Sequence, residues 1–185
     1  MKNTTKRYII RPVFLILVLT WMGIVFKFSN EPADLSSNTS LGITKRIVEI
    51  ISKQETSIQE KEQLTETLDP YMRKLAHFTL YAIGGVLIIN FINTYNISEK
   101  KKIIYSLITG VIYACSDEFH QLFIEGRSGE ITDVIIDSFG VATGVLIFLC
   151  ILIIINRITK HKKLDLGEPR WIQKWWVLQI QLCKN

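Results

Sequence analysis

The stretch SFGVATGVLIFLCILIIIN, residues 138–156, runs for 19 residues without a formally charged side chain. A helix needs roughly 20 mainly apolar residues to cross the hydrocarbon core of a bilayer. Residues 75–98 form a second run, of 24 residues, and two shorter runs at 12–26 and 103–116 can span if their polar ends lie at the membrane surface. The four runs predict an all-α membrane protein with four transmembrane helices, at about residues 12–28, 74–93, 103–121 and 132–155.

The composition, 48% hydrophobic and 21% charged over 185 residues, would suit a soluble protein, but its distribution argues against a soluble α/β enzyme and a disordered tail. The net charge of +5 comes without a basic stripe of interleaved aromatic residues, so no nucleic-acid partner is predicted. Cys115, Cys150 and Cys183 form no CxxC pair and no even set, which argues against a disulfide scaffold and a zinc ribbon. The first run ends at Lys27 without a small-residue cleavage site, so we expect a retained anchor and not a signal peptide.

The distribution of Lys and Arg predicts the orientation of the four helices. The N-terminal segment, the connection at Lys100–Lys102 and the segment after the fourth helix fall on one side of a four-span chain, and together they carry a net charge of +11. The other residues of the chain carry a net charge of −6. Because positive loops face the cytoplasm, both termini are predicted to be cytoplasmic in a multi-pass protein, with a transmembrane domain at residues 12–155.

Two further segments are predicted to lie at the membrane surfaces. In the external loop, about residues 29–72, Ser40 is a candidate N-cap for an amphipathic helix at about 41–67, with Ile43, Ile47, Ile50 and Ile51 at helical spacing. A solvated linker is the alternative. The basic cytoplasmic tail, residues 156–185, places Trp171, Trp175, Leu178 and Leu182 on one helical face, which is typical of an interfacial helix.

Ionisable residues at the helix ends form the strongest functional signal, because such residues are costly in a membrane. Helical spacing places Lys74, His77 and Tyr81 on one face of the second helix, next to Arg73. It also groups residues on the third and fourth helices: Tyr113, Asp117, His120 and Gln121, and then Asp133, Asp137, Gly140 and Gly144. In the predicted topology all three sets lie at the outer level, and the Gly140-x-x-x-Gly144 pattern favours close approach to a neighbouring helix.

Several chemistries fit these residues. Arg73, Lys74 and Arg127 are candidates to hold a phosphate or carboxylate. The alternative for Arg73 and Lys74 is that their charged ends only extend to the membrane surface, and the alternative for Asp133 is that it only stabilises the N-terminus of its helix through the helix dipole. Asp137 lies a turn deeper, where a functional or structural ion pair is favoured. Two His with carboxylates are a plausible divalent-metal set, but no HExxH or similar spacing is present, and no cofactor is predicted. An acid–base reaction would use Asp117, Glu118 and His120; no GxSxG elbow marks a nucleophile.

The chain resembles the VanZ-like family of bacterial membrane proteins. The resemblance lies in residues 28–40, with FSN followed by SSNTS, in RKLAHFTLY at 73–81, in YACSDEFHQ at 113–121, and in GRSG at 126–129 followed by Asp133, Asp137, Gly140 and Gly144. Asn30 and Glu125 depart from the usual serine and proline. The resemblance implies a four-helix protein of the bacterial cytoplasmic membrane, in a family whose founding member is linked with teicoplanin resistance. It implies no reaction and no cofactor.

Three hypotheses follow. The first is a protein that acts at the outer leaflet on glycopeptide or lipoglycopeptide susceptibility by binding a polar head group, with membrane lipids, a lipid-linked cell-wall precursor or a lipoglycopeptide as partner. Its ligand-binding candidates are Arg73, Lys74, His77, Tyr81, Tyr113, Gln121, Arg127, Asp133 and Asp137. The second is a membrane enzyme on a lipid-linked substrate, with Glu118 or Asp117 as base and His120 as acid or metal ligand. The third is a scaffold for envelope enzymes. The sequence leaves the ligand, the oligomeric state and the existence of a reaction open.

Overall fold

The computed structural model describes residues 2–52 and 56–161, and the regular structure within them is helical. The helices are α1 (Lys2–Ser29), α2 (Ala33–Ile51), α3 (Ile58–Ile92), α4 (Glu99–Gln121) and α5 (Ile131–His161). The predicted interfacial helix of the C-terminal tail lies outside the described residues. The all-helical prediction is therefore confirmed for the described part of the chain.

Three of the described helices are long and apolar enough to cross a membrane, within Ile10–Ser29, Ile58–Ile92 and Ile131–Ile155; an 18-residue stretch of each has a mean hydropathy of 1.9, 1.8 and 2.8, respectively. Their outward faces carry large apolar side chains such as Ile16, Leu19, Leu146 and Ile154, each more than half exposed. An apolar surface of this extent needs a lipid or protein covering. The chain is thus a membrane protein. The helix α4, predicted as the third of four spans, is not among the three, since Asp117, Glu118 and His120 near its end lower its hydropathy.

The segment between the first two apolar helices differs from the prediction of one external helix at about 41–67. Two helices occupy it, α2 and the first turns of α3, which begins at Ile58 and not near residue 74. A capping box starts α3: the Ser57 hydroxyl accepts from the Glu60 amide at 3.2 Å, and the Glu60 carboxylate accepts from the Ser57 amide at 2.9 Å. Ser40, the expected N-cap, lies inside α2.

The close contact between α3 and α5 positions the candidate site. A Cβ added to Gly144 would lie 1.9 Å from the carbonyl oxygen of Ala82, and one added to Gly140 would lie 2.4 Å from that of Phe78. The predicted close approach at Gly140-x-x-x-Gly144 is confirmed. Gly140 also lies against Tyr81. Because the backbones almost touch here, side chains one turn toward the start of α5 face those of α3 directly.

An aromatic core attaches α1 to this pair. The indole of Trp21 donates to the carbonyl of Leu80 at 2.9 Å and packs over Gly84, where a Cβ would meet the ring at 2.1 Å. The rings of Tyr81 and Tyr113 lie 5.7 and 5.1 Å from that of Trp21. Such ring contacts stabilise a core by about 0.5–1.5 kcal/mol beyond buried area. They bring α1, α3 and α4 together below the polar helix ends.

Candidate functional site

A cavity of about 240 Å³ lies where α3, the end of α4 and the start of α5 meet. It is lined by seven residues that the sequence singled out: Arg73, Lys74, His77, Gln121, Arg127, Asp133 and Asp137. The remaining lining residues are Ala33, Pro70, Gly126, Ser128, Glu130 and Ile136. The helical faces that residue spacing predicted therefore meet around one partly open cavity lined by both positive and negative side chains.

Two charged pairs connect α3 to α5 along one side of the cavity. Lys74 Nζ lies 3.3 Å from Asp133 Oδ1, and one turn deeper His77 Nδ1 lies 3.7 Å from Asp137 Oδ2. The second distance is too long for a hydrogen bond. Asp137 is 0% exposed, yet neither of its carboxylate oxygens has a hydrogen-bond partner, and the buried Nδ1 of His77 has none either. Together with Tyr81, these four residues form what we call the α3–α5 face.

A second set of polar residues, which we call the clamp, ties the end of α1 to the end of α4. It consists of Ser29, Asp117, Glu118, Gln121 and Arg127. The Ser29 hydroxyl donates to Asp117 Oδ1 at 2.5 Å, and the Gln121 amide donates to Asp117 and Glu118 at 3.4 and 3.0 Å. The second oxygen of Glu118 accepts from the Glu130 amide at 3.0 Å. Every carboxylate oxygen of the clamp is thus used.

Arg127 completes the clamp from the α4–α5 loop. Its guanidinium donates to the carbonyls of Glu31 and Phe28 at 2.8 and 3.0 Å, and to Gln121 Oε1 at 3.1 Å. Gly126, at φ +73°, supplies the left-handed turn that precedes it. Burial, and after it the charge of Arg73, lower the pKa of Arg127, but a guanidinium is basic enough to stay charged. Arg127 was predicted to bind an anion, but most of its N–H donors therefore bond to other groups of the protein.

Arg73 connects the cavity to α2. Its Nη2 donates to Ser37 Oγ at 3.0 Å and lies 3.4 Å from Asp69, whereas its buried Nε has no partner. Asp69 in turn accepts from Ser40 at 2.6 Å and from Thr44 at 3.1 Å. Sequence reasoning missed Ser37, Thr44 and Asp69 as functional neighbours. The spacing of Asp69 and Arg73, four residues apart on one helix, was the available signal.

Five of the predicted site residues do not line the cavity: Asp117 and Glu118, which belong to the clamp, and Tyr81, Tyr113 and His120. The Tyr113 hydroxyl donates to the carbonyl of Met22 at 2.6 Å, so Tyr113 binds α1. His120 stacks on Phe26, with ring centroids 4.7 Å apart, and its buried Nε2 has no partner. Tyr81 is fully buried with an unpartnered hydroxyl, and it lies within electrostatic reach of Asp117 and Asp137.

Among the described residues, one group of side chains lies close enough together to be a candidate for holding a metal ion. His77, Asp117 and Asp137 each offer one ligand atom, and these atoms all lie within 4.8 Å of one another. The trio of Asp117, Glu118 and His120, considered for acid–base chemistry, is arranged differently. Its two carboxylates accept hydrogen bonds within the clamp, while the His120 ring lies against α1.

The sequence model of a family described as VanZ/LLP1 matches residues 14–154, which include most of α1, all of α2, α3 and α4, and most of α5. Curated proteins and solved structures give no match. The matched range contains both the clamp and the α3–α5 face.

Proposed function

The chain belongs to the VanZ/LLP1 family, and from that premise we propose that it binds a polar head group at the outer leaflet of the bacterial cytoplasmic membrane. Binding there lowers susceptibility to glycopeptide or lipoglycopeptide antibiotics of the teicoplanin type. The observation that carries the proposal is the cavity of mixed charge at the ends of apolar helices. Family membership suggests the link with glycopeptide resistance.

The proposal includes four membrane crossings, with α4 as the additional span and both termini in the cytoplasm. One face of α4 presents Ile104, Ile108 and Ile112, which are 50%, 49% and 64% exposed at a spacing of four residues. Such a stripe suits contact with lipid. The opposite face buries Gly110 and Ala114 against the bundle. Lys100–Lys102 at the start of α4 then lie on the cytoplasmic side, as the charge rule favours.

The chemistry of the cavity supports a small charged ligand. Lys74 and the unpartnered Nε of Arg73 offer positive donors, and Glu130, Asp133 and Asp137 offer acceptors. A volume of about 240 Å³ is below the roughly 300–1,000 Å³ of sites for drug-sized ligands. The cavity therefore suits a phosphate- or carboxylate-bearing head group, lipid-linked or lipopeptide-borne, and is too small for a whole lipoglycopeptide.

Two alternative functions make different use of these residues. A membrane enzyme based on Glu118, Asp117 and His120 would need these groups to converge on a substrate bond, and the separation of His120 from the cavity lining favours binding over this reaction. A scaffold for envelope enzymes would need the polar residues only for folding. The same experiment separates both alternatives from head-group binding.

The test compares two double variants in a teicoplanin-susceptible strain at matched protein level. Arg73→Gln with Lys74→Gln removes two cations from the cavity, and Lys45→Gln with Arg46→Gln removes two exposed cations from α2. We expect the first variant to return the inhibitory concentration to the vector level and the second to keep the wild-type value. Phosphate-bearing lipid that copurifies with the protein should fall at least tenfold in the first variant alone. Full resistance in both variants would refute head-group binding and favour the scaffold.

A further inference from the structure

Two buried carboxylates lie close together, and His77 is the one basic group among the described residues that pairs with either of them. Asp117 is 3% exposed and Asp137 is 0% exposed. Within residues 2–52 and 56–161, no Lys or Arg forms an ion pair with either of them, and His77 is the nearest basic group to Asp137. Removing two like charges from water destabilises a fold strongly unless an opposite charge compensates. The arrangement therefore calls for a bound positive charge.

The distances around these carboxylates are close to those of a coordination sphere. One atom each from His77, Asp117 and Asp137 lies within 4.8 Å of the other two, and the His77–Asp137 distance is already 3.7 Å. Zinc–nitrogen and zinc–oxygen bonds of about 2.0–2.2 Å place neighbouring ligand atoms roughly 3.3–3.6 Å apart in tetrahedral geometry. Side-chain adjustments of about 1 Å would complete the site.

The ligand atoms of His77 and Asp137 make no hydrogen bond, and the carboxylate of Asp117 is already oriented. Both oxygens of Asp137 and the Nδ1 of His77 have no hydrogen-bond partner among the described residues. Asp117 is held in place by the Ser29 hydroxyl and the Gln121 amide. Hydrogen bonds of this kind orient metal-binding carboxylates and tune their affinity.

Tyr81 is an independent sign that a ligand belongs here. Its side chain is 0% exposed, its hydroxyl has no hydrogen-bond partner, and it lies four residues from His77 on α3, within reach of the charges of Asp117 and Asp137. Buried hydroxyl groups are nearly always paired. A metal ion, or a water on that ion, would supply the missing partner of Tyr81.

We propose that His77, Asp117 and Asp137 bind one divalent transition-metal ion, with zinc as the best fit, on the floor of the cavity. Two carboxylates and a neutral imidazole balance a 2+ charge, and one nitrogen with two oxygens suits Zn²⁺ better than the all-oxygen sites that Mg²⁺ and Ca²⁺ prefer. His77 and Asp137 both line the cavity, so a remaining coordination position would face the ligand space. The inference goes beyond head-group binding because the ion can bind whether or not a head group does.

The test is zinc titration of the purified full-length protein in detergent after metal removal, by calorimetry and by metal analysis. We expect one Zn²⁺ per chain in the wild type and at least tenfold weaker binding in both Asp137→Asn and His77→Gln. The matched control is Asp34→Asn, because Asp34 is an exposed carboxylate in the first turn of α2; its affinity should stay within twofold. Thermal unfolding identifies any variant that fails to fold, and the second ligand variant then decides the outcome.

Three outcomes would overturn the inference or its zinc assignment. A wild-type protein without saturable Zn²⁺ binding, or both ligand variants at wild-type affinity, would overturn the site. Tighter binding of Mn²⁺ or Mg²⁺ would overturn the assignment to zinc. The Arg73→Gln, Lys74→Gln protein separates this inference from the proposed function, since it should bind Zn²⁺ normally while losing lipid. Loss of resistance in that variant without any Zn²⁺ binding in the wild type would leave the proposed function standing and the metal site refuted.

Discussion

The clamp and the α3–α5 face lie at the same end of the helix bundle but differ in how their polar atoms are paired. In the clamp, the carboxylates of Asp117 and Glu118 accept bonds at both oxygens. The α3–α5 face, in contrast, holds five buried polar atoms that make no hydrogen bond, on His77, Tyr81, Asp133 and Asp137, although two ion pairs connect its residues. Native proteins rarely leave such groups unpaired without a ligand, water or ion. The comparison assigns a mainly structural role to the clamp and ligand binding to the face, with Asp117 of the clamp reaching the proposed metal site.

The largest effect should come from separating the two helices that form the face. In Gly144→Ala, the new Cβ would meet the backbone oxygen of Ala82 at 1.9 Å, so α3 and α5 must move apart. We expect a loss in the free energy of unfolding at or above the upper end of about 1–3 kcal/mol for overpacking, measured by denaturant titration in detergent. Gly23→Ala, where nothing lies within 4 Å, should be neutral or stabilising. Equal stability of the two variants would show that the face does not depend on this contact.

The second-largest loss in the free energy of unfolding should come from removing the hydrogen bonds of the clamp. Arg127→Gln removes two bonds to the backbone of the α1 exit and one to Gln121. Charged hydrogen bonds contribute about 1.5–3 kcal/mol each, and because Arg127 is only half-buried we expect a total cost of about 2 kcal/mol. The measurement is thermal unfolding beside Arg46→Gln, an exposed arginine of α2. A cost below that of Arg46→Gln would mean that the clamp does not stabilise the fold.

A third comparison measures the stability of one isosteric variant in the clamp and one in the α3–α5 face, both in buffer that contains EDTA. Asp117→Asn disturbs paired oxygens and should destabilise the metal-free protein by about 1–2 kcal/mol. Asp137→Asn removes the charge of a buried carboxylate that accepts no hydrogen bond and lies beside Asp117, so the stability should stay unchanged or rise. The melting temperatures of the two variants and the wild type decide the matter. The reverse order would place Asp137 with the structural residues.

The smallest change in stability is expected for Lys74→Gln. The Lys74–Asp133 pair is 3.3 Å long but its side chains are 43% and 31% exposed, and pairs of this kind contribute about 0–1 kcal/mol. We therefore expect less than about 1 kcal/mol lost in unfolding, together with a clear loss of copurified lipid. A stability loss as large as that of Arg127→Gln would show that Lys74 stabilises the fold as strongly as a clamp residue does.

Much of the fold follows from local patterns in the sequence. Charge-free runs predicted the apolar helices, and Gly140-x-x-x-Gly144 predicted the surface on which α3 and α5 meet. Helical spacing grouped Lys74 with His77 and Asp133 with Asp137, and the predicted topology put the two groups at one level; the structure pairs them as Lys74–Asp133 and His77–Asp137. Positions one turn apart on two close helices stay opposite each other, so the pattern carries over to three dimensions.

Other features depend on information that spacing does not contain. Tyr113, Asp117, His120 and Gln121 span an arc of roughly 100° on a helix, wide enough that one edge faces α1 and the other faces the cavity. The start of α3 was marked by the Ser57–Glu60 capping box, which the expectation of one external helix overlooked. The partners of Arg127 are backbone carbonyls, and a carbonyl has no signature in the sequence.

The clamp also sets an order of events during synthesis. Ser29 meets a partner that lies 88 residues later in the chain, and Glu31 and Phe28 meet one that lies 96 and 99 residues later. At about 5–20 residues per second, the ribosome makes that stretch in roughly 5–20 s. The end of α1 therefore lacks its clamp hydrogen bonds until Arg127 has been synthesised. A chain whose synthesis stops before Arg127 cannot form the complete clamp. Proteases that degrade chains without the clamp would therefore remove unfinished copies and leave complete ones.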